Sequence, residues 1–154
     1  MFIRSTCRGP GWSLLCLAGA IGLAGCGQEK VKLLPVEGQV MLGDQVLATS
    51  AKTTGTVVLY PDKSKGNDSR EIPRGRIDAE GRFKILTGLK PGATPGWYKV
   101  TVDAATVPDP KNPYHTASGF LIPERYIDKD ESNLAFEVIA NAPAGTYDLK
   151  LDPK

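Results

Sequence analysis

Reactive side chains are scarce in this 154-residue chain. It holds one histidine, three cysteines and two tryptophans, and aromatic residues make up 7% of it. A zinc site needs three or four ligands in tight geometry, which one histidine with scattered acids supplies poorly. Three cysteines do not make a disulfide framework. Neither sign of charge dominates: 19 Lys and Arg face 17 Asp and Glu, with no basic block, which argues against a nucleic-acid partner. The chain also lacks an apolar run long enough to cross a bilayer as a helix, a convincing helical period beyond residue 26, and any internal repeat. What it has in quantity is turn formers. Gly 17 and Pro 12 together make about a fifth of the residues, within a composition (41% hydrophobic, 23% charged) that is globular rather than disordered.

The first residues read as an address. Arg4 and Arg8 stand in a start without acids, and the apolar run Trp12 to Leu23 is 12 residues long. A positive start, a short apolar stretch and small residues at its end describe a secretory signal. Leu23-Ala24-Gly25-Cys26 resembles the lipobox of bacterial lipoprotein precursors. The resemblance implies a diacylglyceryl thioether on Cys26, cleavage just before it, and acylation of the new N-terminus. One acyl chain holds a membrane only marginally, whereas two or three anchor stably. The expected layout is a signal peptide at 1–25, a lipidated Cys26 with a short tether at 26–34, and one domain at 35–154. Cys7, Cys16, Arg4 and Arg8 leave with the signal. The mature chain of 129 residues then has no free thiol and balanced charge, and its stability must come from a core, which a chain of this size can build. The eight residues after Cys26 reach at most ~26 Å. In Gram-negative lipoproteins an Asp after the lipidated Cys favours the inner membrane. Gly27 stands there instead, so the expectation is a cell-envelope protein facing the periplasm or the exterior, on the outer membrane where one exists.

Beyond residue 35 the period is two. Val36, Gly38, Val40 and Leu42 alternate with polar neighbours up to the Gly43-Asp44 turn. Thr56 to Tyr60 is β-branched and aromatic. Arg76-Ile77-Asp78 leads through Ala79-Glu80-Gly81 into Arg82 to Thr87, with Phe83 and Ile85 on one face. In the intervening turn Asp78 is placed to cap backbone N–H groups, and Gly81 tolerates positive φ. Trp97 to Asp103, Leu134 to Val138 and Thr146 to Leu151 complete the set. One wet face per strand predicts antiparallel pairing, and seven short strands in one small domain predict an all-β sandwich. Tyr98, Val100, Val102, Phe136, Val138, Leu149 and Leu151 should share its core. Residues 128–133 have room for one helical turn. Lys63 to Arg74 and Val107 to Pro123 are long connections, a kind that is usually functional or mobile.

The order of these pieces is similar to a family. Val36-x-Gly38-x-Val40 and Val57-Val-Leu-Tyr-Pro61 are followed by Gly75-x-Ile77-Asp78-x-x-Gly81-x-Phe83. Then come Gly92-x-x-Pro95-Gly96-x-Tyr98-x-Val100-x-Val102, Ile122-Pro123-x-x-Tyr126, Ser132-Asn-Leu134 and Tyr147-x-Leu149-x-Leu151. Across nearly all of residues 35–152 this resembles the carboxypeptidase regulatory-like, or transthyretin-like, domain of small bacterial lipoproteins. That resemblance implies a prealbumin-like, seven-stranded antiparallel Greek-key sandwich in an accessory, adhesive or structural role. One enzymatic branch, the hydroxyisourate hydrolases, uses several His and Arg residues and a C-terminal Tyr-Arg-Gly-Ser. This chain has one His and ends Leu151-Asp-Pro-Lys154, so that activity is not carried over.

Individual candidates remain. His115, with Ser118 nearby, has neither a nucleophile elbow nor an orienting acid and reads as an exposed loop residue. Asp128, Asp130 and Glu131, with Glu124 upstream, suggest oxygen ligands for calcium. An EF-hand would need Gly where Asn133 stands and Glu where Ile139 stands, so the cluster reads as a solvated turn. Trp97 alternates against the core residues of its strand and should lie on the outer face, as a platform for sugar or protein or covered by the Val107–Pro123 loop. Tyr114 and Phe120 on that loop join it as candidate contacts. Asn67-Asp68-Ser69 fits a glycosylation sequon, which carries little weight in a bacterial chain. The expected function is a non-enzymatic, lipid-anchored module without cofactor or metal. It would bind or scaffold at the envelope, its partners being the membrane through the anchor and an envelope protein or glycan. A carbohydrate- or peptide-binding module using the loop ends is the alternative, and a small hydrolase ranks last.

Overall fold

In the computed structural model, the structure describes residues 32–107 and 119–153. The signal segment, Cys26, Tyr114, His115 and Ser118 lie outside the described residues. The fold is all-β, with 46% of residues in strands, almost no helix, and two sheets that do not close into a barrel. Among the described residues the strands are β1 (Glu37–Leu42), β2 (Gln45–Val46), β3 (Thr53–Pro61), β4 (Arg74–Arg76), β5 (Arg82–Lys84), β6 (Leu86–Thr87), β7 (Lys90–Pro91), β8 (Gly96–Thr106), β9 (Leu134–Val138) and β10 (Leu149–Leu151). One sheet runs β7-β6-β4-β3-β8-β9. In the other, β1 is central, with β10 on one side and β2 and β5 on the other.

Each expected strand region overlaps a strand, but Arg76 to Asp78 does so only at Arg76, where β4 ends, and Thr146 to Leu151 only over β10, with turn at Thr146 and Tyr147. The larger strand count arises because Arg82 to Thr87 splits into β5 and β6, and because β2 and β7 add two short pairings. The split is a change of sheet. β5 pairs with β1, whereas β6 pairs with β4 and β7. Ile85 sits at the crossing, donating its N–H to the Val36 carbonyl and accepting from the Gly92 N–H. One pairing departs from the antiparallel expectation. β1 and β10 are parallel, Val40 opposite Leu149, because alternation reports which face is buried and not which way the neighbour runs. Residues 128–132 close one turn, the Ser132 N–H donating to the Asp128 carbonyl at 2.9 Å, and a 3₁₀ turn forms besides at Glu124–Tyr126.

The alternation places the core. Val57, Leu59, Tyr98, Val100, Val102, Phe136 and Val138 of the six-stranded sheet are buried in one cluster with Val36, Val40, Phe83, Leu149 and Leu151 of the other. Phe136 packs on Tyr147, ring centroids 4.9 Å apart and tilted by 53°. Leu34, assigned by sequence to the tether, is buried and exchanges both backbone hydrogen bonds with Ala93. Glycine permits the tightest approach between the sheets. A Cβ on Gly75 would lie 2.3 Å from the Lys84 carbonyl oxygen, and that oxygen belongs to backbone already fixed in β5.

Two stability measurements follow from this packing. Phe136→Ala removes a side chain that is 9% exposed and should cost about 3–5 kcal/mol in urea unfolding. Gly75→Ala should destabilise the fold although it adds only a methyl group, because the clash is with backbone. A neutral Gly75→Ala would show that β4 and β5 are not held this close.

Candidate functional site

β8 spans the six-stranded sheet and organises the candidate surfaces. Trp97, near its start, is opposite Glu137 of β9 and diagonal to Tyr60 of β3, which pairs with Lys99. Odd-numbered residues on this part of β8 face outward, so Trp97 and Tyr60 share the outer face, both half-buried. Most of the Val107–Pro123 connection, expected as a cover for Trp97, lies outside the described residues; among the described residues a cation covers the ring. That cation is Lys65, on the 3₁₀ turn Lys63–Lys65, whose Nζ lies 3.7 Å from the ring centroid. Phe120, 49% exposed, bridges to Ala105 at the other end of β8. Eight strand residues separate Trp97 from Ala105, about 26 Å at ~3.3 Å each. Trp97 and Phe120 therefore do not form one site.

The turn under Trp97 is fastened by buried polar groups. The Asp62 carboxylate accepts from the Ser64 N–H and hydroxyl at 3.1 and 2.6 Å, and those bonds, the hydroxyl's first, hold it below the usual carboxylate pKa. Asn67, buried, donates its amide to the Trp97 carbonyl at 2.9 Å and accepts from the Ser69 N–H. The sequon asparagine is thus part of the structure of this turn.

Other carboxylates do the same work. Asp78 accepts from the N–H groups of Glu80 and Arg82, as its turn required, with Gly81 at φ +70°. Asp128 accepts from the Asp130 N–H, and Asp148 from the Gln39 N–H. Asp130 is claimed by two ammonium groups. Lys129 first and then Lys99, the latter at 2.7 Å, pull its pKa down to about 2, while Asp130 raises that of Lys99. Among the described residues no group of three or more His, Cys, Asp or Glu is placed to hold a metal ion.

Two depressions are lined by the described residues. An open groove of about 770 Å³ is lined by Arg76, Arg82 and Lys84 together with Glu37, Asp78 and Asp148. Its charges are partly spent, since Lys84 pairs with Glu37 at 3.1 Å and both aspartates hold backbone N–H groups. A second cleft of about 480 Å³ lies where the chain begins its described course, between residues 32–35 and 139–145. No protein-family model, curated protein or solved structure matches the chain.

Two outcomes test this reading. Asn67→Ala should cost about 1–3 kcal/mol, because it strips a buried turn of its partners. A carboxyl whose pKa falls on folding stabilises the fold above its ordinary value, and that contribution is lost as pH drops through its folded value. For Asp130 the window therefore runs from the ordinary 3.8 down to about 2. Carboxyl-carbon NMR should show Asp130 titrating near the lower end, and moving back toward 3.8 in a Lys99→Met, Lys129→Met double variant.

Proposed function

We propose that this chain is a lipid-anchored, non-enzymatic β-sandwich of the carboxypeptidase regulatory-like kind, with prealbumin-like Greek-key connections, which binds or scaffolds at the cell envelope. Cleavage before Cys26 and acylation there supply the anchor, and the domain faces the periplasm or the exterior.

The observation that carries the proposal is the placement of the two ends. β1 starts at the same end as β8, since Leu34 bridges Ala93 three residues before Gly96. Phe120 bridges Ala105 at the opposite end of that 11-residue strand. An anchor at Cys26 holds the first end near the lipid and leaves the second some 30 Å or more from it along β8, at ~3.3 Å per residue. The exposed pair Val107 and Phe120 then stands where an envelope protein or glycan is met. The carboxylates support a structural role, because Asp62, Asp78, Asp128 and Asp148 each hold backbone N–H groups rather than orienting a base.

The sugar-binding alternative has one observation in its favour, the pair Trp97 and Tyr60 on one face, and Lys65 occupies the ring that a sugar would stack on. If glycans bind there, Lys65→Ala should tighten binding and shift Trp97 fluorescence on titration. Unchanged fluorescence in wild type and variant removes this reading.

The anchor is tested by metabolic labelling with a fatty acid. Wild type should take up label and Cys26→Ser should not. Equal label in both would sink the proposal.

A further inference from the structure

The most exposed large apolar side chain among the described residues is Leu89, 98% open to solvent. It sits at the tip of the β6–β7 hairpin, in a two-residue turn whose first residue, Gly88, has φ +61°. That is the II′ pattern, glycine first and an ordinary residue second, and it makes a firm tip. Nothing in the turn itself requires leucine at this place.

The strand order locates the tip. β3 and β6 are both antiparallel to β4, so they run the same way, and β6 carries the chain toward the end where β3 finishes at Pro61. β8 begins at that end, and Leu34 is bridged to Ala93 beside it. β9 ends opposite Gly96, which puts Ile139, another exposed apolar residue, at the same end. Exposed Lys32, Lys63 and Lys90 stand there too. In the β3–β4 connection Lys65 and Arg70 accompany them, against Asp68 and Glu71, while Asp62 is turned onto Ser64.

We infer that this end is a membrane-contact face, on which Leu89 enters the lipid surface and the surrounding lysines meet anionic phospholipid headgroups. The inference rests on the proposed anchor at Cys26. Six residue steps separate Cys26 from Lys32, and at ~3.6 Å each they allow at most about 22 Å. The end bearing Leu89 is therefore tethered within that distance of the bilayer, nearer than the far end of β8. An exposed apolar tip beside Lys90, on an end where Lys32, Lys63, Lys65 and Arg70 outnumber the exposed acids Asp68, Glu71 and Glu137, matches that surface, because the tip leaves water while ammonium groups stay at headgroup level. The contact gives the anchored domain a fixed orientation in place of free swivelling on its tether.

The test uses the full chain in a Trp12→Phe, Trp97→Phe background, with one reporter, Leu89→Trp or, at the far end, Val107→Trp. The protein is extracted from membranes and reconstituted into vesicles of phosphatidylglycerol and phosphatidylcholine with brominated acyl chains, and fatty-acid label is measured on the same sample. The expected result is label in both variants and quenching several-fold stronger at 89 than at 107, falling when phosphatidylglycerol is omitted. Equal quenching at the two positions in labelled protein overturns the contact face and leaves the anchor standing. Quenching at 89 that does not change without phosphatidylglycerol overturns the role of the lysines. Absence of label overturns the anchor and the contact face together.

Discussion

The fold depends on one crossing. Between Lys84 and Leu86 the chain leaves one sheet and joins the other, and Ile85 spans the gap with both backbone groups satisfied, by Val36 on one side and Gly92 on the other. A buried backbone group without a partner would be costly, so the crossing fixes the sheets to each other and not merely near each other. Glycine makes this possible twice. A Cβ at Gly75 would strike the Lys84 carbonyl, and one at Gly92, where φ is +101°, would lie 2.3 Å from the Leu34 carbonyl. The crossing thus brings β5, β6 and the first described residues to one side of the domain, and the hairpin with Leu89 follows from it.

Much of this was legible in the residues. The faces of the core strands were readable because alternation is a local property, and β9 lies where Leu134 to Val138 placed it. The Asp78 to Gly81 turn was readable because its chemistry is local as well. The crossing was not, since Phe83 and Ile85 alternate with Arg82 and Lys84 without interruption and the period does not say which sheet a residue pairs with. The parallel β1–β10 pairing escaped for the same reason. β8 runs on to Thr106 because Ala104 keeps the inward period with a side chain too small to announce it.

The candidate surface was less legible. The outward face of Trp97 follows from its strand, but its cover is Lys65, about thirty residues earlier in the chain, and no local pattern connects the two. The acidic residues around Asp128 looked like ligands by type. Their partners, the Asp130 N–H and the side chains of Lys99 and Lys129, show them closing a turn. Leu89 carried a signal in Gly88-Leu89 between two short β-forming pairs, but its exposure and its nearness to the start of the domain are matters of topology.

Function in this account is positional. Asp62, Asp78, Asp128 and Asp148 are engaged with backbone N–H groups. What would give the domain direction is the proposed anchor at Cys26, with Val107 and Phe120 exposed at the opposite end. The measurement that tests this most directly is the intact mass of the protein extracted from membranes, with fragmentation to locate any modification. The account expects a chain that begins at residue 26 and carries a diacylglyceryl group and an acyl chain on Cys26. A chain that retains its first 25 residues, or an unmodified Cys26, would contradict it.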